Sequence, residues 1–327
     1  MNKPMVSICC LTYNQEAYIA QTLQSFMDQI TDFPFEVLIH DDASTDSTAD
    51  IIRQFEAKYP DVIKPIYQTE NQYSKKVSIS FTYQYPRASG KYIALCEGDD
   101  YWTDPHKLQK QVDYMEAHPD CHLCFTNGQC EVNGKLERRI LPWIPSCKKA
   151  YKPGDHDYTM GEMVLLDYVP TASLLCRTED LQNPPDTSAD SFRGDTFVRL
   201  STTARGYAHC IDQDTCVYRF GVAGSVTSQW HQDVSRAVAF IGRMDSLLDD
   251  MNALTDRRHD LQIQEMKLRL DYKKHLLQKD FKPIRKKAFH ALHRADGTSS
   301  YAKFLMQVYL PRLFDWLRSK KKSLSGR

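Results

Sequence analysis

The sequence predicts an α/β fold, in which helices flank a doubly wound, mostly parallel sheet and a helical extension follows at the C-terminal end. Two observations predict this fold. Through the first third of the chain, short apolar runs typical of buried strands alternate with segments whose apolar residues recur at helical spacing. From about residue 231 onward, Leu, Met and Phe recur among many charged residues, which is typical of packed helices.

Four short apolar runs predict the strands. They occupy residues 5–11, 35–40, 62–67 and 91–96. Each run is bounded by polar or turn-forming residues, which is typical of strands that are buried on both faces. One more strand is predicted at residues 168–177, after a middle region that is rich in proline.

Apolar residues at helical spacing predict the helices between these strands. The residues that share a face are Ile19, Leu23 and Phe26 in the first helix, Ile52, Phe55 and Tyr59 in the second, and Leu108, Val112 and Met115 in the third. Asn14 and Asp104 are predicted to cap the first and third helices, because short polar side chains accept hydrogen bonds from unpaired backbone N–H groups. A later helix is predicted at residues 192–204.

The charged residues are distributed unevenly, although the formal net charge is zero. Residues 1–128 contain 18 Asp and Glu against 10 Lys and Arg, whereas residues 301–327 contain 7 basic residues against one acidic residue. An acidic front part suits a metal site, and a basic tail suits an anionic surface. Because the basic residues concentrate in the tail rather than in a groove of the fold, nucleic acid is not an expected partner.

The ten cysteines, with no apolar leader at the N-terminus, predict reduced thiols in a cytoplasmic protein. Cys121 and Cys124 have the spacing of half a zinc site, but no second Cys-x-x-Cys pair occurs, so strand residues are the favoured interpretation. No apolar run approaches the roughly 18 residues of a membrane-spanning helix. Peripheral contact with the inner face of the cell membrane is therefore the kind of membrane association that we expect.

Acidic residues follow two of the predicted strands. Asp41 follows one strand, and residues 97–100, with the sequence EGDD, follow another. The carboxyl ends of parallel strands meet at one edge of a sheet, so we expect these acids to lie close together. Glu97 and Asp99 alternate along the chain and face the same side, and their oxygens suit Mg²⁺ or Mn²⁺. Gly98 lets the backbone approach a ligand closely. On these residues alone, an acidic surface turn remains an alternative.

Five short motifs occur in an order that resembles the nucleotide-binding half of glycosyltransferase family 2 enzymes, which have the GT-A fold. The motifs are VSICCLTYN, VLIHDDASTD, SGKYIAL, EGDD and KLQKQ, which begin at residues 6, 37, 89, 97 and 107. The resemblance is strong over residues 5–112 and weaker to about Val226. It implies a GT-A catalytic domain at residues 1–228, with the nucleotide-sugar in the half that ends at residue 112 and the acceptor in the half from 113 to 228. Residues 229–327 would be a helical extension.

The resemblance implies a role for each residue of the donor site. The nucleotide-sugar would be bound by Thr12, Tyr13, Asn14, Glu16, Asp41, Glu97, Gly98, Asp99 and Arg219. Asp41 would accept a hydrogen bond from the base, which favours uracil and hence a UDP-sugar. Asp99 matches the usual metal ligand, and Glu97 stands where relatives have Asp. The implied cofactor is a divalent cation, Mn²⁺ or Mg²⁺.

A catalytic base and a third metal ligand complete the implied site. Asp195, in the sequence FRGDTF, resembles the base that opens a helix in this family, with Asp190 as the second choice; a simple helix cap is the alternative. The sequence YRFG at 218–221 resembles a motif that ends in His in many relatives. Gly221 therefore leaves the third ligand open, and His231 is the nearest replacement. For Arg219, a contact with the diphosphate and a surface salt bridge are equally expected.

The acceptor would lie near Trp102, Thr171 and Ser173 by resemblance. Trp102 suits the floor of a sugar site, and a place in the core is equally expected. The tail at residues 301–327 mixes aromatic and basic residues at helical spacing, which fits an anionic membrane surface or, alternatively, packing on its own domain or on a second copy through the C-terminal helices.

The function that these features indicate is metal-dependent, inverting transfer of a hexose-type sugar from a UDP-sugar to a glycan or lipid-linked acceptor, in the assembly of a bacterial surface polysaccharide or glycolipid. An inactive relative that only binds nucleotide-sugar is the alternative, since Gly221 replaces a histidine and Glu97 replaces an aspartate. A nucleotidyltransferase ranks lower, because no basic Gly-rich loop follows the first strand.

Overall fold

A computed structural model describes residues 3–141, 150–188, 193–222 and 233–325. In chain order, the strands are β1 (Val6–Thr12), β2 (Phe35–Asp41), β3 (Ile63–Tyr67), β4 (Tyr92–Leu95), β5 (Tyr101–Trp102), β6 (Cys121–Val132), β7 (Lys135–Arg139), β8 (His156–Tyr158), β9 (Leu175–Arg177) and β10 (Tyr207–Phe220). The helices are α1 (Ile19–Met27), α2 (Thr48–Lys58), α3 (Lys107–Ala117), α4 (Met160–Leu165), α5 (Thr178–Gln182), α6 (Asp195–Thr203), α7 (Val234–Leu254), α8 (Asp260–Gln278), α9 (Lys287–Ala295), α10 (Thr298–Tyr309) and α11 (Pro311–Ser325).

The strands form one mixed sheet in the order β3-β2-β1-β4-β9-β6-β10-β5, with β7 paired to β6 and β8 paired to β10. Strands β1 to β4 are parallel to one another, and so are β6 and β10. Strand β9 lies antiparallel between β4 and β6 and joins the two parallel groups. The predicted fold class, a mostly parallel sheet flanked by helices and followed by C-terminal helices, is confirmed.

The central strands lie between two apolar cores. Ile8 of β1 and Ala94 of β4 belong to one core, whereas the next residues, Cys9 and Leu95, belong to the other. Successive side chains of a strand point to opposite faces, so the sheet separates the two cores. Burial on both faces explains why these strands appear in the sequence as continuous apolar runs.

Two predicted helix caps are wrong. Asn14 has a left-handed backbone conformation, with φ of 50°, and α1 begins only at Ile19. Helix α3 begins at Lys107, two residues later than expected, and the Asp104 carboxylate accepts a hydrogen bond from the His106 N–H at 2.9 Å. In both places the polar residue lies in a turn that precedes the helix and does not cap the helix itself.

The strand predicted at residues 168–177 is present only at its end, as β9. The segment Thr171–Ser173 forms a single helical turn instead, and Pro170 before it has no N–H group to offer to a neighbouring strand. The helix predicted beyond this segment is α6. Cys121 and Cys124 are buried residues of β6, as predicted.

Helices α7 and α8 pack against the part of the chain that carries the sheet. Leu247 and Met251 of α7 and Met266 of α8 are buried in the same core as Met163 of α4 and Phe197 of α6. A smaller core is enclosed by the end of α8 with α9 and α10, and it contains Ile284, Phe289, Phe304 and Val308. The domain boundary near residue 228 stays a prediction, and apolar packing crosses it. No helix of the described ranges is long and apolar enough to cross a membrane.

Candidate active site

Both acidic segments meet at the carboxyl end of β1. The backbone N–H of Asp42 donates to the Thr12 carbonyl at 3.0 Å, and the N–H of Gly98 donates to the Leu11 carbonyl at 2.8 Å. These hydrogen bonds extend the parallel pairing of β1 with its two neighbours by one or two residues. The expectation that the two acidic segments share one edge of the sheet is therefore confirmed.

The turn after β1 is held to the turn after β2 by side chains. The Asn14 carboxamide oxygen accepts the Thr45 N–H at 2.7 Å, and the Glu16 carboxylate accepts the Ser47 N–H at 2.9 Å. Asn14 and Glu16, both predicted to line the nucleotide pocket, are thus engaged in fixing the loops that form it. Tyr13 between them is 47% exposed, so its ring is accessible for stacking on a base.

Asp41 and Asp42 are buried at the end of β2 and have different partners. Asp41 accepts hydrogen bonds from the backbone N–H and the hydroxyl of Ser44, and burial raises the pKa of its carboxyl. Asp42 accepts the N–H groups of Gln72 and Tyr73 at 2.7 and 3.0 Å, which fixes the loop beyond β3. Asp41 is thus bonded within its own turn, whereas Asp42 is bonded to the loop beyond β3.

Three carboxylates crowd the turn after β4. Asp100 is buried, and Glu97 and Asp99 are partly buried. Burial raises the pKa of Glu97 to about 8, and the neighbouring charges of Asp99 and Asp195 add to this effect. Burial also raises the pKa of Asp99, while the charge of Arg219 opposes the shift. Crowded carboxylates of this kind are stabilised by a cation.

Gly98 is required by the close packing of this turn on β1. A Cβ atom at this position would lie 2.4 Å from the Gln15 side-chain oxygen and 2.8 Å from the Thr12 Cβ atom. The Gln15 oxygen and the Thr12 hydroxyl are buried beside Gly98 without a hydrogen-bond partner.

Among the described residues, no group of three or more His, Cys, Asp or Glu side chains is arranged to hold a metal ion. Glu97 and Asp99 are the partly buried carboxylates of this turn.

Arg219 holds the acidic turn in place. Its guanidinium donates to the Asp99 carbonyl at 2.6 Å, to the Gln21 side-chain oxygen at 2.5 Å and to the Glu131 carboxylate at 3.3 Å. Its backbone N–H donates to the Asp100 carboxylate at 3.0 Å. The predicted surface salt bridge is wrong in its location, because Arg219 is only 7% exposed and its guanidinium contacts several partners.

Two aromatic rings enclose the same guanidinium. Its central carbon lies 4.9 Å from the centre of the Tyr18 ring and 4.5 Å from the centre of the Tyr101 ring. The donors of Arg219 are thus directed at protein acceptors, which holds the acidic turn in place. Gly221 has φ of 80°, a conformation that suits glycine. His231, the alternative third ligand, lies outside the described residues.

Asp195 is the first residue of α6, and Gly194 precedes it as the cap. Its carboxylate accepts the Thr196 N–H at 2.8 Å and is partly exposed. Glu97, on the acidic turn, experiences the charge of Asp195 directly. Asp195 therefore lies close enough to the acidic turn for its charge to act on Glu97. Asp190, the second choice for the base, lies outside the described residues.

Tyr168, which the sequence does not single out, is affected by the charges of the acidic turn. Burial raises the pKa of its hydroxyl, as do Tyr218 and the charges of Asp100 and Asp195. The Tyr168 and Tyr218 rings lie 5.7 Å apart, centre to centre. The charges of the acidic turn and of the start of α6 therefore both act on this hydroxyl. The sequence predicts a strand for this segment, and a strand prediction does not single out Tyr168.

Two residues expected at the acceptor site are buried behind it instead. Trp102 is 4% exposed, packs on Phe26 with ring centres 4.7 Å apart, and donates its indole N–H to the Ala172 carbonyl at 2.8 Å. Ser173 is fully buried, and its hydroxyl donates to the Pro170 carbonyl. These two predictions of acceptor contact are corrected, because neither side chain reaches solvent. Thr171, in the same turn, is partly exposed.

A buried lysine and glutamine on α3 support this turn from inside. The Lys107 ammonium donates to the Gln111 side-chain oxygen at 2.7 Å, and the Gln111 amide donates to the carbonyls of Ser173 and Cys124 at 2.9 and 3.0 Å. Burial lowers the pKa of Lys107 to about 8. Helix α3, which follows the acidic turn, therefore holds the segment Thr171–Ser173 in place through Gln111. The sequence showed these residues only as part of a motif.

Comparison with known proteins identifies the family. The model of "Glycosyl transferase family 2" matches residues 7–177, which is more than half of the chain. The chain spans about a third to a half of the length of the curated relatives it matches. An uncharacterized protein of Mycobacterium tuberculosis is 49% identical over 120 residues, 37% of this chain and 34% of that protein. The Escherichia coli protein WfaP, named UDP-Glc:alpha-D-GlcNAc-diphosphoundecaprenol beta-1,3-glucosyltransferase, is 35% identical over 113 residues, 35% of this chain and 42% of WfaP.

Two solved structures share the fold over most of the chain. TarS of Staphylococcus aureus (residues 1–349) superposes with a TM-score of 0.59 and 16% identity, over 92% of this chain and 90% of that one. The mannosyltransferase PcManGT of Pyrobaculum calidifontis, solved with GDP-Man and Mn²⁺, gives a TM-score of 0.58 and 16% identity, over 95% and 86% of the two chains. At this identity the likeness concerns the fold alone.

Proposed function

Because the chain belongs to glycosyltransferase family 2, we propose that it is an enzyme that transfers a sugar from a UDP-sugar to an acceptor hydroxyl, with inversion at the anomeric carbon. The observation that carries the proposal is the pairing of an acidic turn with Asp195. Glu97 experiences the charge of Asp99, its neighbour in the turn, and of Asp195, the first residue of another helix. An inverting displacement requires a diphosphate site and a carboxylate on the opposite side of the reacting carbon.

The donor is proposed to lie across the end of β1. Asp41, buried and directed by Ser44, would accept the uracil ring N–H, and Tyr13 would stack on the base. Thr12, Asn14 and Glu16 would shape the pocket through the backbone and the paired loops. WfaP, whose name specifies UDP-Glc, supports a uridine donor. TarS, which has been solved in complex with UDP-GlcNAc, supports the same choice.

Asp99, with Glu97, is proposed to hold Mn²⁺ or Mg²⁺ together with the diphosphate. Two carboxylates that repel each other beside Gly98 provide hard oxygen ligands, and the phosphate oxygens would complete the coordination. Such a cation stabilises the negative charge of the departing diphosphate. The Mn²⁺ in the PcManGT complex supports a cation in this fold. Arg219 is proposed to act through its hold on the Asp99 backbone, without touching the donor.

Asp195 is proposed as the general base. The acceptor oxygen attacks the anomeric carbon, a new C–O bond forms, and the bond from that carbon to the diphosphate oxygen breaks. The acceptor proton passes to the Asp195 carboxylate, and UDP leaves. Asp195 is held at the N-terminus of α6, where its carboxylate accepts the Thr196 N–H at 2.8 Å. The acceptor is proposed to be a glycan or a lipid-linked glycan of a bacterial surface polysaccharide, as the diphosphoundecaprenol in the name of WfaP supports.

The test combines donor binding with turnover. A panel of nucleotide-sugars is titrated calorimetrically with and without Mn²⁺, and UDP release is measured with acceptor present and absent. Asp195→Asn should reduce turnover by roughly 10²–10⁴-fold and leave donor affinity within about twofold, since general base catalysis contributes that much. Asp99→Ala should remove the Mn²⁺-dependent part of donor binding. Asp50→Asn, the same change at a side chain that is 74% exposed on α2, is the matched control.

The results separate this proposal from an inactive binding protein. A wild-type chain that binds UDP-sugars but neither hydrolyses nor transfers them would be a binder, and Gly221 in place of histidine is the feature that favours this second candidate. Full turnover in Asp195→Asn would remove the base assignment and leave the donor site intact. A preference for GDP-sugars would contradict the choice of a uridine donor.

A further inference from the structure

Helix α11 exposes an apolar face to solvent. Leu313 is 46% exposed, Trp316 is 51% exposed and Leu317 is 41% exposed. Among the side chains that are described on this helix, which end at Lys320, only those of Pro311 and Phe314 are partly covered. An isolated helix of this length has marginal stability in water, so its apolar face needs a surface to pack against.

The exposed apolar residues share one side of the helix. Leu310, Leu313 and Trp316 follow one another at intervals of three, and Leu317 follows Leu313 at an interval of four, so they form one stripe. Leu310 is 54% exposed and extends the stripe beyond the start of α11. Asp315 lies two residues from both Leu313 and Leu317, and therefore on the opposite side. We call the four apolar residues the α11 face.

Basic residues surround the α11 face. Arg312 and Arg318 are exposed, and the Lys320 ammonium lies 4.3 Å from the centre of the Trp316 ring. The wider charge distribution is polarised in the same direction. Residues 279–327 contain 13 Lys and Arg against 3 Asp and Glu, whereas residues 1–278 contain 29 against 39. The neutral total therefore conceals one strongly positive end of the chain.

We propose that the α11 face docks the protein on an anionic lipid bilayer, with the helix lying in the plane of the interface. Leucine and tryptophan side chains would enter the boundary between headgroups and acyl chains, and Arg312, Arg318 and Lys320 would contact anionic headgroups. A second copy of the chain is a poorer occupant, because it would bring two strongly positive segments together. An acidic headgroup layer matches both the apolar stripe and its basic border.

The experiment measures binding of the full chain to vesicles by cosedimentation. Vesicles of phosphatidylcholine with about 30% phosphatidylglycerol are compared with pure phosphatidylcholine, at low and at high salt. We expect at least tenfold tighter binding to the anionic vesicles, lost at high salt. Arg318→Gln with Lys320→Gln should weaken binding by roughly fivefold per removed charge. These side chains are exposed, so the fold is preserved.

The apolar contribution is tested with Leu313→Asp and Trp316→Asp together, which should lower vesicle affinity at least tenfold. Leu261→Asp is the matched control, because Leu261 on α8 is 84% exposed and lies outside the α11 face. Unchanged binding in the double variant would overturn the proposal. A dimer of the wild-type chain that dissociates in the double variant would also overturn it, since the face would then be a self-interface. Donor affinity is independent of either outcome, so this proposal and the glycosyl-transfer proposal can fail separately.

Discussion

The replacement Arg219→Lys separates two roles for this residue. If Arg219 positions the acidic turn, its loss destabilises the protein even when no donor is bound. If its guanidinium instead binds the diphosphate, the variant keeps its stability and loses only donor affinity. Lysine retains the positive charge, so a difference between the two side chains reflects the geometry of the guanidinium and not its charge.

The expected magnitude follows from the contacts of Arg219. The guanidinium donates to three acceptors, at 2.6, 2.5 and 3.3 Å, and is enclosed by two tyrosine rings. A lysine ammonium at the same place can keep one of these acceptors. Two lost hydrogen bonds of about 1 kcal/mol each and a weakened ring contact of about 0.5–1 kcal/mol give a loss of roughly 3 kcal/mol. For a chain of this size, that loss lowers the melting temperature by about 4 °C.

The assay is thermal unfolding without donor, followed by calorimetric titration of the same samples with UDP-sugar and Mn²⁺. Arg53→Lys is the matched control, because Arg53 also lies over a tyrosine ring, at 4.7 Å, but its side chain is 55% exposed. That control should change stability by less than about 0.5 kcal/mol. A melting temperature of Arg219→Lys equal to that of the wild type, with donor affinity reduced at least tenfold, would refute the positioning role.

Four further predictions concern buried groups. Burial raises the pKa of Glu36, but hydrogen bonds from one lysine and two serines outweigh it and lower the pKa to about 2. Glu36→Gln should therefore lower the free energy of unfolding in urea by about 2–3 kcal/mol at pH 7, and the difference between the two proteins should vanish as pH falls from 4.5 toward 2. Burial lowers the pKa of Lys107 to about 8, so the lysine holds its proton less tightly in the folded protein than in the unfolded chain. As pH rises from 8 to 10.5, the wild type should therefore gain stability relative to Lys107→Met, and parallel profiles of unfolding free energy against pH would contradict this. Burial lowers the pKa of His293 to about 4, so the C-terminal helices should lose stability as pH falls from 6.5 to 4. Thermal unfolding followed by circular dichroism should show this loss, and His293→Gln should reduce its dependence on pH. Tyr168→Phe should reduce turnover roughly tenfold or more without changing melting temperature, because the charges of Asp100 and Asp195 act on its hydroxyl; normal turnover would exclude it from the reaction.

Strands in which apolar residues predominate could be predicted from the sequence, whereas strands that are polar in their middle could be predicted only in part. Strands β1, β2 and β4 are mostly apolar, although β1 contains Ser7 and β2 contains Glu36 and His40, and their bounds agree with the prediction to within one or two residues. Strand β6 carries Thr126 and Asn127 in its middle. The Thr126 hydroxyl is 2.6 Å from the Thr215 hydroxyl, and the Asn127 amide donates to the Leu141 carbonyl at 3.0 Å. These partners come from other parts of the chain, so only the start of β6, around Cys121 and Cys124, could be predicted as a strand.

The same distinction applies to the candidate site. Asp41 and Asp99 follow apolar strands, and the order of strands in a parallel sheet brings strand ends together, so their proximity was predictable. Trp102 and Arg219 have side chains that serve equally well as ligand contacts and as internal supports. Their direction depends on the Ala172 carbonyl and on the two tyrosines around the guanidinium, none of which is marked by spacing along the chain.

Supporting residues and reacting residues of this site cannot be told apart by activity alone. A residue such as Arg219 or Trp102 would reduce activity when replaced, just as Asp195 would, so loss of turnover alone cannot distinguish support from chemistry. Support residues are buried and bonded to protein atoms before any substrate binds, and their loss must therefore appear in the stability of the free protein. Asp195 is partly exposed and accepts one local hydrogen bond, so its replacement by Asn should leave that stability nearly unchanged. Stability measured without donor is thus the quantity that assigns each residue of this site to one group or the other.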